Sequence, residues 1–516
     1  MTVPAGAALD WLERDIRELE LAAVSAKLDA EASALEALLP PLLALGCPRP
    51  QVQPLLEQAW SRRQELRERI AELRGLDIDP DVAQSLERAA DALKGGGASS
   101  LASVAASLGH AFDACRERQG LSKDAACVRA THALAAAVSF DFSRAATLSE
   151  EAAAMAPADS DACWRYRVQQ AEFLLDRGRE FNDVESLRAV AHLCDETLLP
   201  MARADRKPAE RAWVYDCLGH ALGILGRQQR GTHTLERAVK AFESALELRD
   251  RERKPFDWAA TQNNLGNAIG ILGQRQQDLE LLEQSVDAFE AALEVPASNA
   301  TPDSRASVHS NLAAVLQTLG RQKKDTGLLK RAVDAYRAAI ALWTPERTPV
   351  FWAATMSNVG SALRLLGELG KDTGALEQSV TVYDAALSMR TRERMPREWA
   401  MTQNDLGAAL QALGEETHDL LSLGRSVAAY REALKELTRE REPMSWAMTL
   451  ANLGVARRKL AERSQDVTIS RRAAADIKMA LEVFREASHA RLTELGVEQL
   501  SLAHRVNAAL ESSSRD

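Results

Sequence analysis

Aromatic residues make up only 5% of this 516-residue chain, and Ala and Leu dominate in their place, a balance that suits helices far better than sheets. Long apolar runs are missing: no stretch of 18 uncharged apolar residues occurs, which excludes a sequence-evident transmembrane helix. The opening MTVPAGAALDWLERD lacks the basic segment and apolar stretch of a signal peptide. Cysteine is scarce. The six cysteines all precede residue 218, form no C-x-x-C pair and sit mostly in Ala-rich, helix-like surroundings, so buried reduced thiols and a cytoplasmic home are expected. Positive charge also falls short, with 64 Lys and Arg against 74 Asp and Glu. The net charge of −10 argues against a general binder of nucleic acid or anionic membrane.

Chemistry-bearing motifs are missing as well. No G-x-S-x-G or G-x-G-x-x-G occurs. The stretch GELGKDT (367–373) lacks the spacing of a phosphate loop and follows a repeat helix rather than a strand. The nine histidines form no H-x-x-H or H-E-x-x-H pair, and none adds a cysteine at metal-ligand spacing, so neither metal nor cofactor is expected. A protease dyad of His110 with Cys115 or Cys127 would need an α/β framework, and that stretch reads as Ala-rich helix. No catalytic residue is expected.

What the chain has in abundance is repetition. WAATQNNLGNAIGILG (258–273) recurs in altered form at steps of 47 residues, six copies in all. One small column reads Gly219, Gly266, Ala313, Gly360, Gly407 and Gly454, preceded by Leu218, Leu265, Leu312, Val359, Leu406 and Leu453. Eight residues before it stand Trp258, Trp352, Trp399 and Trp446. At about 100° per residue these columns share one arc, the buried stripe of an amphipathic helix, so the tryptophans are expected in the core. A second helix carries the stripe Leu282, Val286, Phe289 and Leu293 and its counterparts. Asp278, Asp325, Asp372, Asp419 and Asp466 stand where an N-cap carboxylate belongs, and prolines at 208, 255, 302, 349, 396 and 443 separate one unit from the next. Each unit is a helix–turn–helix hairpin that cannot bury its own stripe, so neighbours must stack.

The pattern L-G-x-x-aliphatic followed by A-x-x-x-F/Y-x-x-A (Ala238, Phe242, Ala245; Ala332, Tyr336, Ala339) resembles the tetratricopeptide repeat. The Asn-Asn-Leu-Gly wording is similar to the kinesin-light-chain branch. The 47-residue length resembles bacterial long-repeat members, often joined to caspase-like proteases or ATPases. The family's usual unit is about 34 residues, so longer helices or loops are implied. The tryptophan column usual four before the glycine holds Tyr215, Gln262, His309, Met356, Gln403 and Leu450 instead. The resemblance implies an all-α, right-handed superhelical solenoid and a protein- or peptide-binding scaffold.

Four regions follow: a helical hairpin or coiled-coil-like module at 1–94, a linker with degenerate repeats at 95–205, six repeats at 206–488, and a capping helix and tail at 489–516. Leu9, Leu12, Ile16 and Leu19 keep helical spacing in the first region, as do Leu56, Ala59, Arg63, Leu66, Ile70 and Leu73. KGGGASS (94–100) reads as a flexible linker, leaving the hairpin either a cap or a module for docking or homo-oligomerisation. The stretch 163–200 aligns with the next copy after a one-residue slip.

The resemblance also assigns a concave groove, lined three before, one after and four after the glycine column. In this chain those places hold Asp216, Asn263, Ser310, Ser357 and Asn404; His220, Asn267 and Ser361; and Gln317, Arg364, Gln411 and Arg458. Two before the glycine stand Asn264, Asn311, Asn358, Asp405 and Asn452, readable as an inter-repeat bond or as a grip on a peptide backbone. Uncharged hydrogen-bonding groups suit an extended peptide, and Arg364 and Arg458, read as facing solvent, suit an acidic group near one end. The expected role is a non-catalytic scaffold that binds a protein segment and regulates a partner effector such as a caspase-like protease or ATPase; the alternative is a self-assembling structural protein.

Overall fold

The computed structural model describes residues 38, 42, 49–76, 79–94, 98–119, 123–202, 208–296, 298 and 300–513. Every regular element among them is a helix. The chain forms two compact units, Met1–Val295 and Pro296–Asp516. The expected first helix around Leu9–Leu19, Cys47 and the GGG of the expected linker lie outside the described residues.

The first unit opens with α1 (Arg49–Arg74), α2 (Pro80–Lys94), α3 (Ala98–Gln119), α4 (Lys123–Val138) and α5 (Phe142–Met155). The spacing read from α1 is the buried stripe: Leu56, Ala59, Leu66 and Ile70 are at most 1% exposed. Arg63 in the same stripe is also buried and donates to the Leu93 carbonyl at 2.7 Å. Helix α4 has no polar face, because Ala130 through Val138 is buried without a break. Covering such a helix takes neighbours all round, and α1, α3 and α5 supply them. Residues on both sides of the Gly-rich stretch thus share one core, from Leu56 and Leu86 to Leu134 and Phe142. Arg62 of α1 also reaches Asp176 of α6 (Asp161–Glu180) as an ion pair, its guanidinium 5.0 Å from the Phe142 ring and 5.6 Å from that of Phe173.

Helix α7 (Val184–Leu193) runs on into a π-helical turn, Cys194–Leu198. A π turn takes up one residue more than the α-helix it replaces, which accommodates the one-residue slip read in this copy. The first unit ends with two 47-residue hairpins, α8 (Pro208–Gln228) with α9 (His233–Leu248), and α10 (Pro255–Gln276) with α11 (Leu279–Leu293).

The second unit holds four more hairpins. They are α12 (Pro302–Lys323) with α13 (Thr326–Leu342), α14 (Pro349–Gly370) with α15 (Thr373–Met389), α16 (Pro396–Glu416) with α17 (Leu420–Ala433), and α18 (Pro443–Ser464) with α19 (Val467–Glu486). Helix α20 (Ala490–Ser513) packs on α19. Each of the six hairpins begins with the recurrent proline as the first residue of its first helix, where a missing N–H costs nothing.

The hairpin turn is written in three residues. Lys324, Lys371 and Gln465 take the left-handed conformation that ends the first helix, and Asp325, Asp372 and Asp466 then cap the second. The Asp372 N–H donates to the Gly367 carbonyl at 3.0 Å, closing the turn back onto the first helix. The small columns permit close approach. A Cβ on Gly360 would stand 2.8 Å from the Tyr383 ring, and one on Gly407 2.9 Å from Tyr430. The same glycines accept a hydrogen bond on their carbonyls, from Ser379 and Ser426 at 2.7 Å each.

The tryptophan column is not core. Trp258, Trp352, Trp399 and Trp446 are half-buried. Each is the fourth residue of its helix, where the shorter second helix gives out and the inter-repeat loop lies instead. Loop arginines lie over three of the rings: Arg251 4.7 Å from Trp258, Arg392 5.7 Å from Trp399 and Arg439 6.0 Å from Trp446. Two tryptophans outside the column, Trp164 and Trp343, are buried instead, and Trp343 stacks on Phe351 at 5.1 Å.

Candidate functional site

Helical phase alone puts the three groove columns on one side of each first helix, about 20–60° apart. The structure gives the side chains there partners. In the first unit Asp216 accepts from the Thr261 hydroxyl at 2.7 Å and lies 3.6 Å from Arg249. His220 packs edge-on against Phe242, with ring centroids 5.7 Å apart. Asn263, Asn264 and Asn267 follow on α10, all half-buried.

In the second unit the same arrangement recurs 141 residues on, with Arg390 donating at 3.0 Å to both Ser357 and Thr402. Burial lowers the proton affinity of this guanidinium, which Glu398 and Asp405 counter. Gln317 donates to Ser361 at 3.0 Å and accepts from the Tyr336 hydroxyl at 3.3 Å. Ser310 and Asn311 are half-buried on α12, and Asn358 is exposed on α14. Much of the groove therefore ties neighbouring hairpins together.

The arginines differ from expectation. Neither guanidinium faces solvent freely: the Arg364 side chain is 23% exposed and lies 2.6 Å from Glu368, while that of Arg458 is 11% exposed and lies 3.4 Å from Glu462. The reason is helical spacing. Each arginine has a glutamate four residues on, which brings the two side chains together on the helix surface.

Helices α14, α16 and α18 bring Arg364, Asn404 and Gln411 around one cavity of about 550 Å³. Asp405, Glu415, Asn452, Lys459 and the Tyr430 ring complete much of its wall. Inside it Asn452 donates to the Asn404 carbonyl oxygen at 3.3 Å, and Asn404 donates in turn to Asp405 Oδ1 at 3.2 Å. Gln411 donates to Glu415 at 2.9 Å, and Glu415 also pairs with Lys459. Burial pushes the Asp405 carboxyl above the usual range, against the Asn404 bond and the nearby Arg364 and Arg390. Sequence reasoning missed Glu415 and Lys459 as site residues and placed Asp405 only in the column that reads either as an inter-repeat bond or as a peptide grip. A signal existed for Asp405, the carboxylate in a column that otherwise holds Asn264, Asn311, Asn358 and Asn452, with Cys217 in the first copy.

A larger cavity of about 720 Å³ in the first unit lies at the hairpin turns around Phe140, Phe142 and Asp183. Its charged groups serve each other, with Arg177 2.6 Å from Asp183. Among the described residues no cluster of three or more His, Cys, Asp or Glu is placed to hold a metal, and no helix is long and apolar enough to cross a membrane.

The tetratricopeptide-repeat family model matches residues 258–299, which span α10 and α11. The second hairpin is thus a tetratricopeptide repeat, the other five copies share its columns, and the chain is a tetratricopeptide-repeat protein. No curated protein matches. Among solved structures, the C-terminal part of a repeat-containing protein from Cytophaga hutchinsonii is 12% identical, with 65% of this chain and 99% of that one covered, at a TM-score of 0.41. A tetratricopeptide repeat protein from Parabacteroides merdae is 16% identical over 65% and 98%, at 0.37. A signal-transduction ATPase with a tetratricopeptide repeat sensor from Pyrococcus horikoshii is 14% identical over 86% and 63%, at 0.41. The likeness is one of helical-repeat architecture only.

Proposed function

We propose that the second unit is a non-catalytic scaffold that binds a protein segment along the face of α14, α16 and α18. One observation supports this reading above the rest: three successive hairpins place amides and charged groups around a single open cavity, a length of surface suited to an extended chain. Asn404, Gln411 and Asn452 supply the donors and acceptors a peptide backbone needs. A partner effector, a protease or ATPase of the kind the long-repeat resemblance implies, is the expected source of the segment.

Photo-crosslinking tests the site. A photoreactive amino acid replaces Gln411 in the cavity or Glu377, exposed on α15. Each full-length protein is irradiated in lysate of the source cell. Adducts from position 411 that are absent from position 377 support the groove; equal adducts at both, or none at 411, refute it.

A further inference from the structure

The charges around the cavity are not balanced. Four carboxylates line it (Glu368, Asp405, Glu415 and Glu416) against two cations, Arg364 and Lys459. Both cations are already answered, Arg364 by Glu368 at 2.6 Å and Lys459 by Glu415. An acidic group entering here would meet cations already paired and two carboxylates without an ion pair among the described residues, the deeper of them influenced by Arg364 and Arg390 only through space. Of those two, Glu416 is exposed at the rim and Asp405 is the deeper.

Asp405 is also incompletely bonded. Its Oδ1 accepts from Asn404 at 3.2 Å, and its Oδ2 has no hydrogen bond among the described residues. A partly desolvated carboxylate with an open oxygen is best met by a charge-assisted donor. The protein shows one such meeting of its own: in the first unit Arg62 crosses from α1 to the Asp176 carboxylate, its guanidinium over the Phe142 and Phe173 rings. In the cavity the Tyr430 ring accompanies Asp405.

Two exposed methionines stand on the helices that carry the cavity. Met401 lies one turn before Asp405 on α16, and Met448 holds the same register on α18. Both are exposed, at 45% and 43%. Methionine adapts to varied apolar side chains, and two at adjacent repeats make a small apolar step beside the carboxylate.

We infer that the segment bound in this cavity carries a lysine or arginine side chain that docks on Asp405, with an apolar residue beside it on Met401 and Met448. This rests on the groove reading above and reverses the expectation of an acidic partner.

The probes are phage-displayed random dodecapeptides selected on the full-length protein, then synthesised with a fluorescent label. The inference expects Lys or Arg to be enriched in the selected peptides. It expects Asp405→Asn to weaken them about ten-fold or more in fluorescence polarisation, the loss of one charge-assisted bond. Changing the peptide's basic residue to Gln should give the same loss on the wild type and little further loss on Asp405→Asn. Asp405→Lys should regain peptides in which that residue is Glu. Circular dichroism melts of each variant confirm folding. Peptides that weaken on Asn404→Ala and Gln411→Ala but not on Asp405→Asn would overturn the cation and leave the groove standing. Peptides indifferent to all three variants would overturn both.

Discussion

In five of the six hairpins a glycine stands seven residues after the small column (Ala313 in the third copy, glycine in the others) and faces a leucine; at the sixth the two positions hold Ala461 and Ser470. The exchange makes a quantitative prediction for Gly367 and Leu376. A Cβ on Gly367 would stand 2.5 Å from Leu376 Cγ and 3.0 Å from the Asp372 carbonyl, so Gly367→Ala must push the leucine aside. Overpacking of this kind costs about 1–3 kcal/mol, and the better helix propensity of alanine returns about 1. The net loss is about 1 kcal/mol. Leu376 is 1% exposed, and Leu376→Ser alone should cost about 3–5 kcal/mol in lost burial and an unfilled cavity. The double variant reproduces the sixth hairpin's pair, since serine has no Cδ atoms for the new methyl to strike and its single Oγ can turn away from the site of leucine Cγ. It should therefore be more stable than the sum of the single changes by about 1–2 kcal/mol. Because stacked repeats unfold piecemeal, the measurement is urea denaturation combined with hydrogen exchange on α14 and α15 peptides. Additivity within about 0.5 kcal/mol would refute the packing argument.

Trp343→Ala should cost about 3–5 kcal/mol because the ring is buried and stacked, whereas half-buried Trp352→Ala should cost about 1–2; urea melts giving the reverse order would place the wrong tryptophan in the core. Deleting residues 1–94 should expose α4 and produce aggregation or loss of helix, and a soluble, fully helical 95–516 fragment by circular dichroism and light scattering would show that α1 and α2 are separable. His132 is buried, neither ring nitrogen has a hydrogen-bond partner among the described residues, and burial lowers its pKa from 6.5 to about 4. The unfolded chain then binds the extra proton first as pH falls, so stability is full above 6.5 and is lost on the way down towards 4. Between pH 7 and 5 this amounts to about 2 kcal/mol, and His132→Leu should show a correspondingly smaller loss in urea denaturation at the two pH values.

The hairpins were legible in the sequence because each feature that makes them is local: proline at the first helical residue, Asp at the cap, a period of 3.6 in the stripe. The repeat multiplied each signal. The failures came where a residue's environment depends on what stands opposite it. Trp352 has the right phase for the core but sits beyond the end of the facing helix, and phase does not encode that. Trp343 lies outside every column, so repetition gave no hint of its burial. Arg364 and Arg458 were read as groove side chains by column, yet their neighbours Glu368 and Glu462, visible four residues on, take them up. Asp405 stands in a column that the sequence leaves open between an inter-repeat bond and a peptide grip. Its importance needed the cavity, which requires three hairpins at once.

Within the second unit, two of the side chains proposed to hold a partner also fasten hairpin to hairpin: Asn452 reaches across to Asn404. A segment that claims the Asn404 amide must take it from an existing tie. Grip and stiffness are then one mechanical variable. An occupant alters how far apart α16 and α18 rest, and a pull that spreads those helices alters the grip in return, by the same free energy. Such a structure behaves as a spring whose force constant depends on what it holds, and stretching a single molecule with and without its partner would measure both at once.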